Sequence, residues 1–190
     1  MLKRTLEAVG LRTISDIPAQ EIFSSDFNPE KYGLKSSALK KINMLRDFVA
    51  EYNREIPVDR SKPVQNSEQA ADLLYDTFRG LTHEEVWVLY LNRANKPISK
   101  ERIGEGCLDT VIIDRRKIVR TALNKNATGV ILYHNHPSGN PIPSASDVQE
   151  TEKLRNALQV FEISLLDHVI MTDSKYYAFS DEKCNDIRRG

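Results

Sequence analysis

The sequence predicts an α/β protein, a mixed β-sheet flanked by helices and preceded by a small N-terminal helical segment. Three observations predict it. Short runs rich in Val, Ile, Leu and Tyr, such as EVWVLYLN at 85–92 and GVILYHN at 129–135, alternate with stretches of helical period. The second run is apolar on both faces until it reaches His134, the pattern of a strand in a sheet covered on two sides. A polar stretch with two prolines, REIPVDRSKPVQN at 54–66, separates this α/β part from a helical beginning. The expected organisation is a helical segment over 1–54, a linker over 55–65 and an α/β domain over 66–190.

The elements follow in order. Residues 29–33, PEKYG, read as a turn. Residues 34–52 carry a helical stripe of Ala38, Ile42, Leu45, Phe48 and Val49. Asn66 or Ser67 can cap a helix running to Phe78, with Gly80 ending it. A strand over 85–92 turns at 92–97 into a second, more polar strand over 98–106 that suits a place near an edge. Asp114 starts a helix to Lys125 with Ile118, Val119, Ala122 and Leu123 on one face. After the strand at 129–135 comes a loop at 137–143, an amphipathic helix at 146–161, and two closing strands at 163–171 and 176–180.

Composition bounds the function. The 190 residues are 40% hydrophobic and 28% charged, ordinary for a globular chain and too apolar for a disordered one. No apolar run approaches the roughly 18 residues of a membrane span, and the N-terminus lacks the apolar core of a signal peptide. Lys plus Arg equals Asp plus Glu, 27 each, which argues against a protein that works by coating nucleic acid. Arg115-Arg116-Lys117 and Arg188-Arg189 are the basic clusters, and a solvated helix start and a tail account for them. Cys107 and Cys184 form no CxxC pair, so neither a disulfide framework nor a cysteine zinc site is expected, both thiols are expected to be inert, and a cytoplasmic setting is the default.

The chemistry gathers at the end of the 129–135 run. His134 and His136 sit two apart, so in a strand they share one face about 7 Å apart at Cα. Eleven residues after His136, Asp147 falls in the first turn of the next helix. Two neutral imidazoles and one carboxylate can hold a zinc ion and leave a position open for water, the composition of a catalytic site. Glu84 and Glu85 open the first strand of the domain. Alternation allows only one of them to face a given side. His83 reads as a loop residue, and His168, inside LLDHVIM, as a hydrogen-bonded core histidine paired with Asp167 or a backbone group.

His134-Asn135-His136-Pro137 followed by Ser144-Ala145-Ser146-Asp147 resembles the JAMM metalloprotease pattern, H-x-H-x7-S-x2-D, in every spacing. The surrounding HNHPSGNPIPSASD, THEEVWVLYLN and LLDHVIM are similar to the RadC-like branch of that family, over about residues 66–187. The resemblance implies the mixed sheet of the MPN domain, shared in outline with cytidine deaminases. It implies His134, His136 and Asp147 as ligands of one Zn2+, Glu85 as general base on the zinc water with Glu84 as the alternative, and Ser144 as donor to the tetrahedral oxyanion. It also implies peptide or isopeptide substrates. RadC-like chains often begin with a helix-hairpin-helix module. Residues 29–51 resemble its second half but keep only Gly33 where the hairpin needs glycines for close approach to phosphate.

Two further functions fit the same residues: a DNA-associated accessory protein using the domain as a scaffold, which the neutral charge weighs against, and hydrolysis of a non-peptide amide. An HNH nuclease spreads its residues over a longer unit, and a zinc deaminase needs H-x-E with a later P-C-x-x-C, so neither matches.

Overall fold

The computed structural model describes residues 17–22, 27–105 and 113–187. Gly106, Cys107 and the Arg188-Arg189 tail, named above, lie outside them. A four-residue helical turn at Ala19–Ile22 and a 3-10 turn at Pro29–Tyr32 lead into a long helix, α1 (Ser36–Glu55). Gly33 adopts φ 58°, the left-handed conformation that glycine takes without strain, and reverses the chain between them.

The α/β part follows as α2 (Ser67–Phe78), β1 (Glu85–Leu91), β2 (Pro97–Glu105), α3 (Arg115–Asn124), β3 (Gly129–Asn135), α4 (Ala145–Gln159), β4 (Ser164–Met171), β5 (Lys175–Ala178) and β6 (Lys183–Asp186). The helices start where side chains can accept orphan amides: Asn66 caps α2, Asp114 caps α3 and Ser144 caps α4. The six strands form one mixed sheet in the order β2-β1-β3-β4-β5-β6. Only β3 and β4 run parallel, joined through α4. The edge position expected for the polar second strand is observed. β6, with the sequence KCND, has no strand pattern of its own and exists by pairing with β5.

Two apolar layers cover the sheet. On one face, Ala70, Ala71, Leu74 and Phe78 of α2 pack on Trp87, Leu89, Leu91, Ile131, Tyr133, Val169 and Met171. On the other, Ile118 and Ala122 of α3 and Leu154 and Leu158 of α4 pack on Val86, Val88, Tyr90, Val130 and Leu132. Every residue of β1 and β3 is buried, as two-sided coverage demands.

The stretch between α1 and α2 packs on the domain. Val58 and Val64 join the α2-side core, and Val64 N–H donates to Asn95 O at 2.9 Å. α1 lies beside α2, tied by Asn53 to Asp76 O at 2.9 Å, by Arg46 to Gly80 O at 3.0 Å, and by the Lys100 ammonium to Asn53 O at 3.1 Å. Its Ile42 enters a small separate core with Ile17 and Ile22. Phe48, part of the apolar stripe read from helical period, is 68% exposed. It belongs to the row Met44, Phe48, Tyr52, which faces away from both cores because α1 docks through its Ile42 and Ala50 side.

Leu74 is fully buried between α2 and the sheet. Leu74→Ala should lower unfolding stability by about 2–5 kcal/mol, read as a lower urea midpoint.

Candidate metal centre and its surroundings

β3 and α4 build the centre. His134 is the penultimate residue of β3 and His136 the residue just past its end, so their side chains leave one face of the sheet. The chain then turns through Gly139, at φ 79°, and enters α4 with Ser144 as N-cap. Asp147 is the third residue of α4, and it and Ser144 form a reciprocal capping box. Ser144 gives both its backbone N–H and its hydroxyl to Asp147 Oδ2, each at 2.6 Å, and the Asp147 N–H returns to Ser144 Oγ at 3.2 Å. Oδ1 is left facing His134.

The three side chains offer ligand atoms within 4.8 Å of one another. His134 Nε2 lies 2.8 Å from His136 Nε2 and 3.3 Å from Asp147 Oδ1, and His136 Nε2 lies 3.7 Å from Asp147 Oδ2. Ligands of a tetrahedral zinc with bonds of 2.0–2.1 Å stand about 3.3 Å apart. The donor set and its spacing therefore fit a small divalent cation. His136 Nδ1 contacts Asn140 O at 2.7 Å. A carbonyl only accepts, so Nδ1 carries the proton and neutral His136 presents its lone pair at Nε2, towards the group. Burial, the largest effect, pushes the His134 pKa down to about 4, against the pull of Asp147 and with help from His136. A neutral imidazole is the form that binds metal.

The structure separates the two glutamates. In the β1–β3 ladder Val86 stands opposite His134. Residues 84 and 86 therefore share the face of His134, and residue 85 shares that of Trp87. Glu85, expected as the general base, faces away from the three candidate ligands. Its carboxylate is fully buried on the α2 side, where Oε2 accepts from Trp87 Nε1 at 2.8 Å. Its Oε1 accepts from Arg54 of α1 and from Arg102 of β2 at 3.3 Å, and lies 3.0 Å from His83 Nε2. Glu84, half-buried just before β1, is the one that feels the metal group. Burial raises its pKa above the ordinary carboxylate value, Asp147 adds to the rise, and His136 opposes it. The clue that alternation left open is the strand register, which no local pattern encodes.

Asn135, between the histidines, reaches the other way. Its Oδ1 accepts the Glu85 N–H at 2.8 Å and its Nδ2 donates to His83 O at 2.9 Å. The backbone on both sides of Glu84 is thus held by one side chain. His83 is the loop residue expected, and it helps to enclose Glu85. His168 is a core histidine as expected, but its ring pairs with His134 Nδ1 at 2.8 Å and Thr151 Oγ1 at 2.6 Å. Asp167 takes only its backbone N–H, at 2.8 Å. Thr151 went unnoticed in the sequence. Its place one helical turn after Asp147, on the inner face of α4, is the signal that could have found it.

A mixed sheet whose central strand ends in two histidines, faced by an aspartate of α4, defines a class of α/β domain with a group that could hold a metal ion. Residues 64–184 match the RadC-like JAB domain, and the chain belongs to that family. It is similar to a UPF0758 protein of Flavobacterium johnsoniae, with 42% identity over 121 residues that cover 64% of this chain and 53% of that one. UPF0758 proteins of Bacillus licheniformis and Alcanivorax borkumensis are similar over more of their length. The first is 36% identical across 91% of this chain and 74% of its own. The second is 31% identical across 88% and 80%. The chain spans about half the length of the Flavobacterium relative and of those from Methanococcoides burtonii and Enterococcus faecalis.

Two substitutions check these assignments. Glu85→Gln should destabilise the fold by on the order of 3 kcal/mol, because it strips the buried anion from Arg54, while leaving metal uptake intact. Ser144→Ala should cost about 1 kcal/mol of α4 capping and weaken metal uptake by loosening Asp147, which keeps only the backbone N–H of residue 144. Urea unfolding and competition with a chromophoric chelator measure both.

Proposed function

We propose that this chain is a zinc-dependent amide hydrolase of peptidase or isopeptidase type. The observation that carries the reading is the convergence of His134, His136 and Asp147 at the lip of β3, with Glu84 on the same face.

When bound, zinc supplies a Lewis acid for the scissile carbonyl and lowers the pKa of water. His134, His136 and Asp147 would hold it, three protein ligands as in catalytic rather than closed structural sites. Glu84 takes the proton of the attacking water on its carboxylate and returns it to the leaving amine nitrogen as the C–N bond breaks. Its partial burial suits the first half of this work, since a carboxylate whose pKa is raised above its ordinary value is a stronger base towards the attacking water. Ser144 keeps Asp147 Oδ1 on the histidine side. It donates to the substrate oxyanion only in exchange for its bond to Oδ2.

The expected result is close to one zinc per purified chain, lost in a double His134→Ala/His136→Ala variant. On a peptide library, Glu84→Gln should keep zinc and lose about 10²–10⁴-fold in cleavage rate. Glu85→Gln, where folded, should keep both. Full cleavage by Glu84→Gln, or stoichiometric zinc in the double variant, would sink the reading.

A further inference from the structure

A chain of three hydrogen bonds runs behind the metal group, from one end of it to the other. Thr151 Oγ1 lies 2.6 Å from the backbone carbonyl of Asp147, His168 Nδ1 lies 2.6 Å from Thr151 Oγ1, and His134 Nδ1 lies 2.8 Å from His168 Nε2. His134, Thr151 and His168 are all buried, so no bulk water competes for these bonds.

The protons in this chain can be placed by elimination. The Asp147 carbonyl has no proton to give. At 2.6 Å the contact holds only if the Thr151 hydroxyl donates to it. A hydroxyl has one proton, so Thr151 must accept from His168 Nδ1–H. Neutral His168 then has its lone pair at Nε2, where it accepts from His134 Nδ1–H. That leaves the His134 lone pair at Nε2, the nitrogen that faces Asp147 Oδ1 and His136. His136 Nε2, 2.8 Å away, is bare as well, so this placement of protons is that of the group with a cation between the two nitrogens. The reverse direction would set two oxygen lone pairs against each other at Thr151. It would also put a proton on His134 Nε2, where a cation needs a lone pair.

We infer that Thr151 and His168 are positioning residues that fix His134 in its Nδ1–H tautomer and aim its Nε2 lone pair into the metal group. The inference rests on the metal reading above and deepens it. Asp147 serves twice, through its carboxylate in the group and through its backbone carbonyl as the acceptor that sets the direction of the whole relay. His168 is itself held in plane by stacking on Phe179, with ring centroids 4.8 Å apart and planes 11° apart. It sits in the layer of Leu132, which it pairs with across the parallel β3–β4 ladder, so it supports His134 from one level deeper in the sheet.

The test separates position from mere packing. His168→Phe keeps a flat ring against Phe179 but removes the acceptor. His168→Gln keeps an acceptor oxygen near the place of Nε2. Competition with a chromophoric chelator should show zinc affinity falling about 10–100-fold in His168→Phe, and staying within a few-fold of the unaltered chain in His168→Gln. Thr151→Val, which frees His168 to take either tautomer, should fall between. Long-range proton–nitrogen NMR of the unaltered zinc-loaded chain should show His134 and His168 each protonated at Nδ1. A His168 proton on Nε2 in place of Nδ1 would overturn the relay, as would a folded His168→Phe that binds zinc as tightly as the unaltered chain. Should His168→Phe fail to fold, Thr151→Val and the NMR signal still decide. Failure of the unaltered chain to take up zinc would instead sink the metal reading, whereas zinc uptake with His168 protonated at Nε2 would sink the relay alone.

Discussion

The pairing of β1 with β3 is the constraint on which the site depends. Because the ladder sets Val86 opposite His134, a single parity sorts every residue of both strands. One set, with Val86, Val88, Val130 and Leu132, faces α3 and α4 and carries His134 at its end. The other, with Trp87, Leu89, Ile131 and Tyr133, faces α2. A slip of one residue would exchange the two sets and drive the apolar side chains of each into the other's layer. The same register that holds the core therefore decides which of two adjacent glutamates meets the histidines.

The fold was largely legible in the sequence because its strands are buried on both faces and its helices carry caps and turn residues. EVWVLYLN and GVILYHN could hardly be anything but interior strands, and Asn66, Asp114 and Ser144 mark helix starts by side-chain chemistry alone. β6 was not legible, since KCND becomes a strand only through the edge that β5 offers. The exposure of Phe48 was not legible because helical period reports which residues share a face, not which face meets a neighbour. At the site, the spacing of His134, His136 and Asp147 sufficed, since a strand end and a helix start leave little freedom. The side that Glu85 faces was not legible because its place depends on a partner strand some fifty residues away, and neither glutamate announces its side. The indole of Trp87, two residues on, was the one local hint, for it needs a buried acceptor.

Glu85 has a structural place of its own. It gathers Arg54 from α1, Arg102 from β2, His83 and Trp87 around one buried carboxylate. A buried anion without cations would be costly, and removing a partner leaves the rest uncompensated. α1 is therefore bound to the sheet by a charge that belongs to β1, in addition to its contacts with α2. The two neighbouring glutamates face opposite halves of the molecule, one towards the N-terminal helix and one towards the metal group.

Asn135 shows what this arrangement means for motion. Strand ends ordinarily fray, opening and closing at little free-energy cost. Glu84 stands at such an end, where a carboxylate would be expected to wander. The Asn135 amide grips the peptide links before and after it, so the end of β1 behaves as though the strand continued. Opening the end of β1 would therefore have to break both amide bonds to Asn135, a residue that lies between the two histidines.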